Sequence, residues 1–234
     1  MNNSSVYFDP EIETMSRDKL DRLQLDRFKD TVTQAMNAPF YGALYKKLGL
    51  SADSIRTLDD VRKFPFTTKA DLREHYPFGL VATDMRKIIR LHSSSGTTGN
   101  PTVIVHTRTD IERWAHRMAR CMYMAGLRDT DVIQNTSGYG MFTGGLGIQY
   151  GAECLGAMTI PAAAGNSIRQ VKFIMDFGTT ALHAIPSYAL RLAEVFAERG
   201  IDPRTDTKLT TLLIGAEPHT EEQRRKIEQV LGVK

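Results

Sequence analysis

The sequence predicts an α/β fold, with a helical N-terminal layer over residues 1–80 followed, over 81–234, by an open, mostly parallel sheet with helices on both faces. Three observations predict it. Up to about residue 80 the apolar residues recur at helical spacing and short Pro- and Gly-marked stops break the chain into pieces. Beyond that point short β-branched runs alternate with amphipathic stretches, the rhythm of strand–helix–strand units. A chain of 234 residues, 41% hydrophobic, is also long enough to bury a sizeable core.

In chain order, Leu20, Leu23, Phe28, Val32 and Ala35 give a helix from Ser16, its N-cap, to Met36, with Pro39 following. "PFYGALYKKLG" reads as a helix stopped by Gly49, "TLDDVRKF" as one capped by Thr57, and "TKADLREHY" as one capped by Thr67 or Thr68 and halted before Pro77. "KIIRLH" and "TVIVHT" then read as strands, and Asp110 to Ala125 as a helix with Ile111, Trp114, Met118 and Met122 on one core-packing stripe. "DVIQNTS", a glycine-rich helix start, "AMTIPA", the helix "SIRQVKFIMDFG", "TALHAIP", the helix "YALRLAEVFAERG", "KLTTLLIG" and the helix "EEQRRKIEQVLG" continue the alternation. Gly232 closes that last helix where the rhythm calls for another strand, so either the fold ends there or the sequence has been cut at an αβ loop and belongs to a longer protein.

The net charge of +3 arises from Lys and Arg scattered among nearly as many Asp and Glu, which argues against a nucleic-acid partner. No apolar run approaches a membrane span and residues 1–30 lack a leader pattern, so a cytoplasmic protein without a membrane partner is expected. Cys121 and Cys154 have neither disulfide-framework nor metal-ligand spacing and read as reduced thiols in the core. His92, His106, His183 and His219 show no i, i+4 pairing, so no metal site is expected and surface or core positions are the default.

The stretch that asks for a function is "RLHSSSGTTGNPTVIVHT" at 90–107. Ser93, Ser94, Ser95, Thr97 and Thr98 offer hydroxyls, while Gly96 and Gly99 let backbone N–H groups turn inward into an anion-binding nest. A polyphosphate suits such a loop. It is not a Walker A loop, since Asn100, Pro101 and Thr102 follow Gly99 where Lys would be needed. Judged by composition alone, a soluble turn remains the other reading.

"SSSGTTGNP" resembles the phosphate-binding loop of the adenylate-forming enzymes, the acyl-CoA synthetases and their relatives, whose pattern is [ST]-S-G-[ST]-T-G-x-P-K; Thr102 replaces the closing Lys, as in the phenylacetate-CoA ligase branch. "SGYGMFTGGLGIQYGAECLGAMTIP", from Gly138 through Pro161, is similar to that branch's "YGYGLFTGGLG" stretch, and "LLIGAEPHTEEQRRKIE" to its "GAEPWTE" segment. With "IPSYALRLAE" between them, the resemblance covers nearly the whole chain.

The resemblance implies part of an adenylate-forming large domain that uses ATP, Mg2+ and coenzyme A. An aryl carboxylic acid is activated to an acyl adenylate with release of pyrophosphate, and then passed to the thiol with release of AMP. It places the ATP phosphates on Ser94, Ser95, Gly96, Thr97, Thr98 and Gly99, and the adenine against Gly215, Ala216, Glu217 and Pro218. Tyr139 and Phe142 become walls of the acid slot. Gly144, Gly145 and Gly147 either leave room for the acid at a helix start or permit tight helix–strand packing. Glu217, otherwise a helix-terminal charge near Thr220, reads within "GAEP" as a packing or hydrogen-bonding element and not as a general base.

Catalytic residues are expected beyond Lys234: an aromatic-Gly-x-[ST]-Glu motif with its magnesium-side Glu, a ribose-binding Asp, a hinge and a catalytic Lys. This stretch alone is therefore expected not to turn over. His219 stands where the aryl enzymes carry Trp, so the resemblance stops short of strict phenylacetate specificity. A homodimer is what the family implies. Alternatives are a coenzyme F390 synthetase-like or acyl-protein synthetase-like ligase, and a non-catalytic nucleotide-binding module; a dinucleotide fold fails because Gly138, Gly140 and Gly144 are not G-x-G-x-x-G.

Overall fold

The computed structural model describes residues 6–95 and 99–234. The described residues divide into two compact units, one up to Ile111 and one over Glu112–Lys234.

In the first unit, α1 (Pro10–Glu13) starts on Pro10, and α2 (Arg17–Ala35) starts after Ser16 as its spacing predicts. α3 (Pro39–Leu48) ends on Gly49, whose φ of 65° is the left-handed conformation that glycine takes without strain. Leu25, Phe28 and Val32 of α2 pack with Tyr45 of α3, Ile55 and Phe64, and the Phe64 ring lies 5.3 Å from each of the Phe28 and Tyr45 rings. "TLDDVRKF" forms a 3-10 turn over Leu58–Lys63 instead of an α-helix, because Phe64 is already extended ahead of Pro65. α4 (Lys69–Glu74) is capped by Thr68, with Asp71 returning a bond to the cap.

β1 (Ile88–Ser93) and β2 (Val103–Thr107) pair antiparallel with each other, Ser93 opposite Val103. They form a two-stranded sheet of their own, apart from the parallel one. Their β-branched periodicity specifies strand but not partner, and the nine residues 94–102 between them are too few for a crossover helix yet enough for a hairpin.

The second unit carries α5 (Arg108–Met124) from Glu112 on, then β3 (Val132–Asn135), α6 (Gly144–Leu155), β4 (Met158–Ile160), α7 (Ser167–Phe177), β5 (Ala181–Ala184), α8 (Pro186–Glu198), α9 (Pro203–Asp206), β6 (Thr211–Ile214) and α10 (Glu221–Leu231). Its four strands are all parallel in the order β4-β3-β5-β6. Side chains alternate between two cores, as strand geometry requires. Leu182, Ala184 and Leu212 meet α7, α8 and α10 on one face, while Ile133, Ala181 and Leu213 meet Met122 of α5 and Ile148 and Ala152 of α6 on the other. After α10, Lys234 N donates to Thr210 O and Leu212 N to Lys234 O, each at 3.0 Å, the bond pair of a parallel neighbour of β6.

The cysteines are corrected in one respect. Both are free, but both are exposed: Cys121 and Cys154 fall off the buried stripes of α5 and α6, which carry Met122 and Ala152.

Candidate functional site

In the first unit the hydroxyl-rich loop closes the β1–β2 hairpin. Ser94 N donates to Thr102 O at 3.0 Å, and Thr102 N donates to Ser94 Oγ at 2.9 Å, so Ser94 pins both ends of the loop. Gly99 holds a φ of 122°, which a side chain would resist, and Ser95 and Gly99 face solvent. Gly96, Thr97 and Thr98 lie outside the described residues. Beneath the loop His92 is buried and its ring lies 5.5 Å from that of His106, whose pKa burial and then the His92 charge push down.

In the second unit the topology marks a place. The chain leaves β3 toward β4 on one side and returns across it to β5 on the other, so connections diverge at the carboxyl ends of β3 and β5, where open α/β sheets form a ligand crevice. Asn135 ends β3 there and is wholly buried, at 0% exposure. Its Nδ2 donates to Gly145 O at 2.7 Å and to the Tyr139 hydroxyl at 2.9 Å. Its Oδ1 accepts from Ser137 N at 3.1 Å and lies 3.1 Å from His183 Nδ1. The Gly145 carbonyl and the Ser137 N–H fix which way the amide points, and the amide oxygen then places the His183 proton on Nδ1. Ser137 Oγ is also 3.1 Å from that nitrogen. Burial lowers the His183 pKa to about 4, so the ring is neutral at pH 7.

The residues expected at an acid slot lie around this point. Tyr139 is half-buried and its hydroxyl donates to Gln149 Oε1 at 2.8 Å, while burial raises its pKa. Phe142 is 61% exposed. Gly144 would meet nothing within 4 Å if it carried a Cβ, whereas a Cβ on Gly145 would come within 2.3 Å of Gly138 O and one on Gly147 within 2.6 Å of Trp114. The glycines thus divide: Gly144 faces open space, and Gly145 and Gly147 permit close packing.

At the carboxyl end of β6, Ala216 takes a φ of 68°, unusual for a residue with a Cβ, and directs the Glu217 carboxylate to the start of α8. Ser187 N donates to Glu217 Oε2 at 3.1 Å and Ser187 Oγ to Oε1 at 2.9 Å. Glu217 therefore neutralises the N-terminus of α8, not that of α10 near Thr220, and ties the ends of β5 and β6 together. Gly215 has open space around it, and Pro218 and His219 are exposed.

Sequence reasoning passed over Asn135, set His183 aside, and missed the buried pair behind them. Gln134 and Gln170 are both wholly buried; Gln134 Nε2 donates to Gln170 Oε1 at 2.6 Å, and Gln170 Nε2 to Ala163 O at 2.7 Å. This holds the β4–α7 loop, where Ala163 and Asn166 take positive φ. The available signal was "VIQN", a strand buried on both faces that nevertheless ends in two amides.

A groove of about 620 Å³ runs along α7 past Ile168, Lys172 and Arg199, and it includes none of the expected site residues. Among the described residues no group of three or more His, Cys, Asp or Glu could hold a metal ion, and no helix is long and apolar enough to cross a membrane.

No family model matches the chain. Curated relatives do: it is 43% identical over 98% of its length to a phenylacetate-coenzyme A ligase of Thermus thermophilus, and 46% identical over 97% to one of Pseudomonas putida. A third, from Escherichia coli, is 44% identical over 98% of the chain. The chain spans about half the length of these relatives, 52–53%. Among solved structures it superposes over its whole length, with a TM-score of 0.92 and 32% identity, on 51% of a 2-hydroxyisobutyryl-CoA ligase bound to 2-HIB-AMP and CoA. A complex of VinN with L-aspartate, at TM-score 0.51 and 18% identity over 63% of the chain, shares the fold alone. The α/β architecture and the resemblance to phenylacetate-CoA ligases are thus shown along nearly the whole chain.

Proposed function

We propose that this chain belongs to the machinery of an AMP-forming ligase that joins an aryl carboxylic acid, phenylacetate-like in size, to coenzyme A. A carboxylate oxygen attacks the α-phosphorus of ATP, the bond to the bridging oxygen breaks and pyrophosphate leaves. The coenzyme A sulfur then attacks the acyl carbon, its proton is lost and AMP leaves. The observation that carries the reading is the pinned hairpin loop. Ser94 closes it by accepting from Thr102 N, which leaves a hydroxyl its proton to give, and Gly99 supplies the open backbone that a phosphate needs.

Ser95 and Gly99, with Gly96, Thr97 and Thr98, would bind the ATP phosphates; Gly215, Ala216, Glu217 and Pro218 would flank the adenine. Glu217 acts as a hydrogen-bonding strut, since both its oxygens face Ser187. Tyr139 and Phe142 would wall the acid, with room above Gly144. Among the described residues no group of three or more His, Cys, Asp or Glu could hold a metal ion, and no step is assigned to Mg2+. The homodimer implied by the resemblance belongs to the same proposal.

The test is pyrophosphate release by the full-length protein with arylacetates, benzoic acids and aliphatic acids compared. Release that is fastest with an arylacetate is expected. Equal or absent release across the arylacetates would sink the assignment, and release with an aliphatic acid alone would favour the acid class of the 2-hydroxyisobutyryl neighbour.

A further inference from the structure

We infer that Asn135 is the positioning residue of the acid slot, the hub that turns the loop after β3 into a fixed wall and presents Tyr139 to the acid as an aromatic surface without a free hydroxyl. The inference rests on the proposed acid-binding role of Tyr139.

The geometry carries it in three steps. First, residues 136–143 form no helix or strand, so what fixes their shape must be side-chain and turn bonds. Second, a neutral amide has two protons and two lone pairs, and Asn135 has a partner for all four: Tyr139 and Gly145 on the nitrogen, Ser137 and His183 on the oxygen. Those partners come from the loop itself, from the first turn of α6 and from β5. One buried side chain therefore fixes the loop to both of its flanking elements. Third, the Tyr139 hydroxyl accepts from Asn135 and donates to Gln149, whose Nε2 in turn donates to Glu153 Oε1 at 2.5 Å. With both roles of the hydroxyl filled inside the protein, the ring is left to offer its apolar edge and face. Neither Asp nor Ala can replace the amide, because Asp gives up both donors and Ala all four contacts.

Neutral His183 completes the arrangement. A protonated ring would still donate to Asn135 Oδ1, but it would place a charge in a site whose burial opposes one.

The experiment compares wild-type full-length protein with Asn135→Ala and Tyr139→Phe by two readouts. In steady-state pyrophosphate release, Asn135→Ala is expected to raise KM for the aryl acid about tenfold while KM for ATP stays within about twofold. Tyr139→Phe, which keeps the ring and removes only the hydroxyl's two bonds, to Asn135 and to Gln149, is the safer folder and is expected to raise the acid KM severalfold in the same one-sided way. In amide hydrogen exchange, both variants are expected to speed exchange at 136–145 and to leave β6 and α10 unchanged. Exchange at 136–145 that is unaltered in both variants overturns the inference, whatever the protein turns over. So does a rise of both KM values together. A wild-type protein that releases no pyrophosphate with any aryl acid removes the proposed function instead, and leaves the exchange data to decide the role of Asn135.

Discussion

In the hairpin loop at 94–102, the described residues Ser94 and Thr102 share two bonds at the mouth, and Ser95 and Gly99 are open to solvent. The carboxyl end of the parallel sheet is held by Asn135, Ser137, Tyr139, Gln149 and His183, every one bonded to another. A polyphosphate is charged, flexible and rich in acceptors, so a loop that offers outward N–H and O–H donors can close around it. An aryl group offers only shape, and shape can be read only by a wall that does not yield. The difference between an open rim and an over-determined wall thus matches the difference between the two proposed ligands.

The largest way to stress the contrast is with acid. His183 has a folded pKa of about 4 against an ordinary value near 6.5, so its neutral form is favoured in the folded state. The stability this contributes is full above about pH 6.5, shrinks as pH falls, and is gone below about pH 4, for a total of at most about 3 kcal/mol. Melting temperature followed from pH 7.5 to 4 is expected to fall, and to fall less in His183→Gln. Equal slopes would remove His183 from the wall.

Next come the glycines. Gly145→Ala must push a Cβ against Gly138 O and is expected to cost about 2 kcal/mol, whereas Gly144→Ala, with open space around it, should stay within about 0.5 kcal/mol of the parent by denaturant unfolding. Similar losses at both would mean that the helix start, not the wall, is the sensitive feature. Gln170→Leu removes one of the bonds of the buried Gln134 amide, which keeps those to the Gln170 carbonyl and from the Thr179 hydroxyl, and strips Ala163 O of its amide donor; it is expected to cost about 1–2 kcal/mol on the same measurement. At the open rim Ser94→Ala removes a single bond to Thr102 N, and a loss below about 1 kcal/mol is expected. A larger loss there would show the rim to be as over-determined as the wall.

The two regions were unequally legible in the sequence. The rim is local: Ser, Gly and Thr within ten residues of one another carry their conformational and donor properties wherever the chain puts them. The helices and strands of the second unit were legible for a related reason, since period and stop signals are also local. The wall is not local. Asn135 and His183 are 48 residues apart and meet only because β3 and β5 are paired, a fact of strand order that periodicity does not contain. The same gap explains the hairpin: "KIIRLH" and "TVIVHT" announce strands without naming their partner, and the short loop that decides it was read for its chemistry instead of its length. For Glu217 the other reading, a terminal charge for the helix near Thr220, is not what forms: after Ala216 at positive φ its carboxylate bonds Ser187 at the start of α8.

The most direct test of this division of labour is one crossed kinetic measurement on the full-length protein. Pyrophosphate release is recorded for Ser94→Ala and Tyr139→Ala while ATP and phenylacetate are varied in turn. The account predicts that Ser94→Ala raises KM for ATP severalfold with the acid KM unchanged, and that Tyr139→Ala does the reverse. Variants that raise both constants alike, or exchange the two effects, would contradict it.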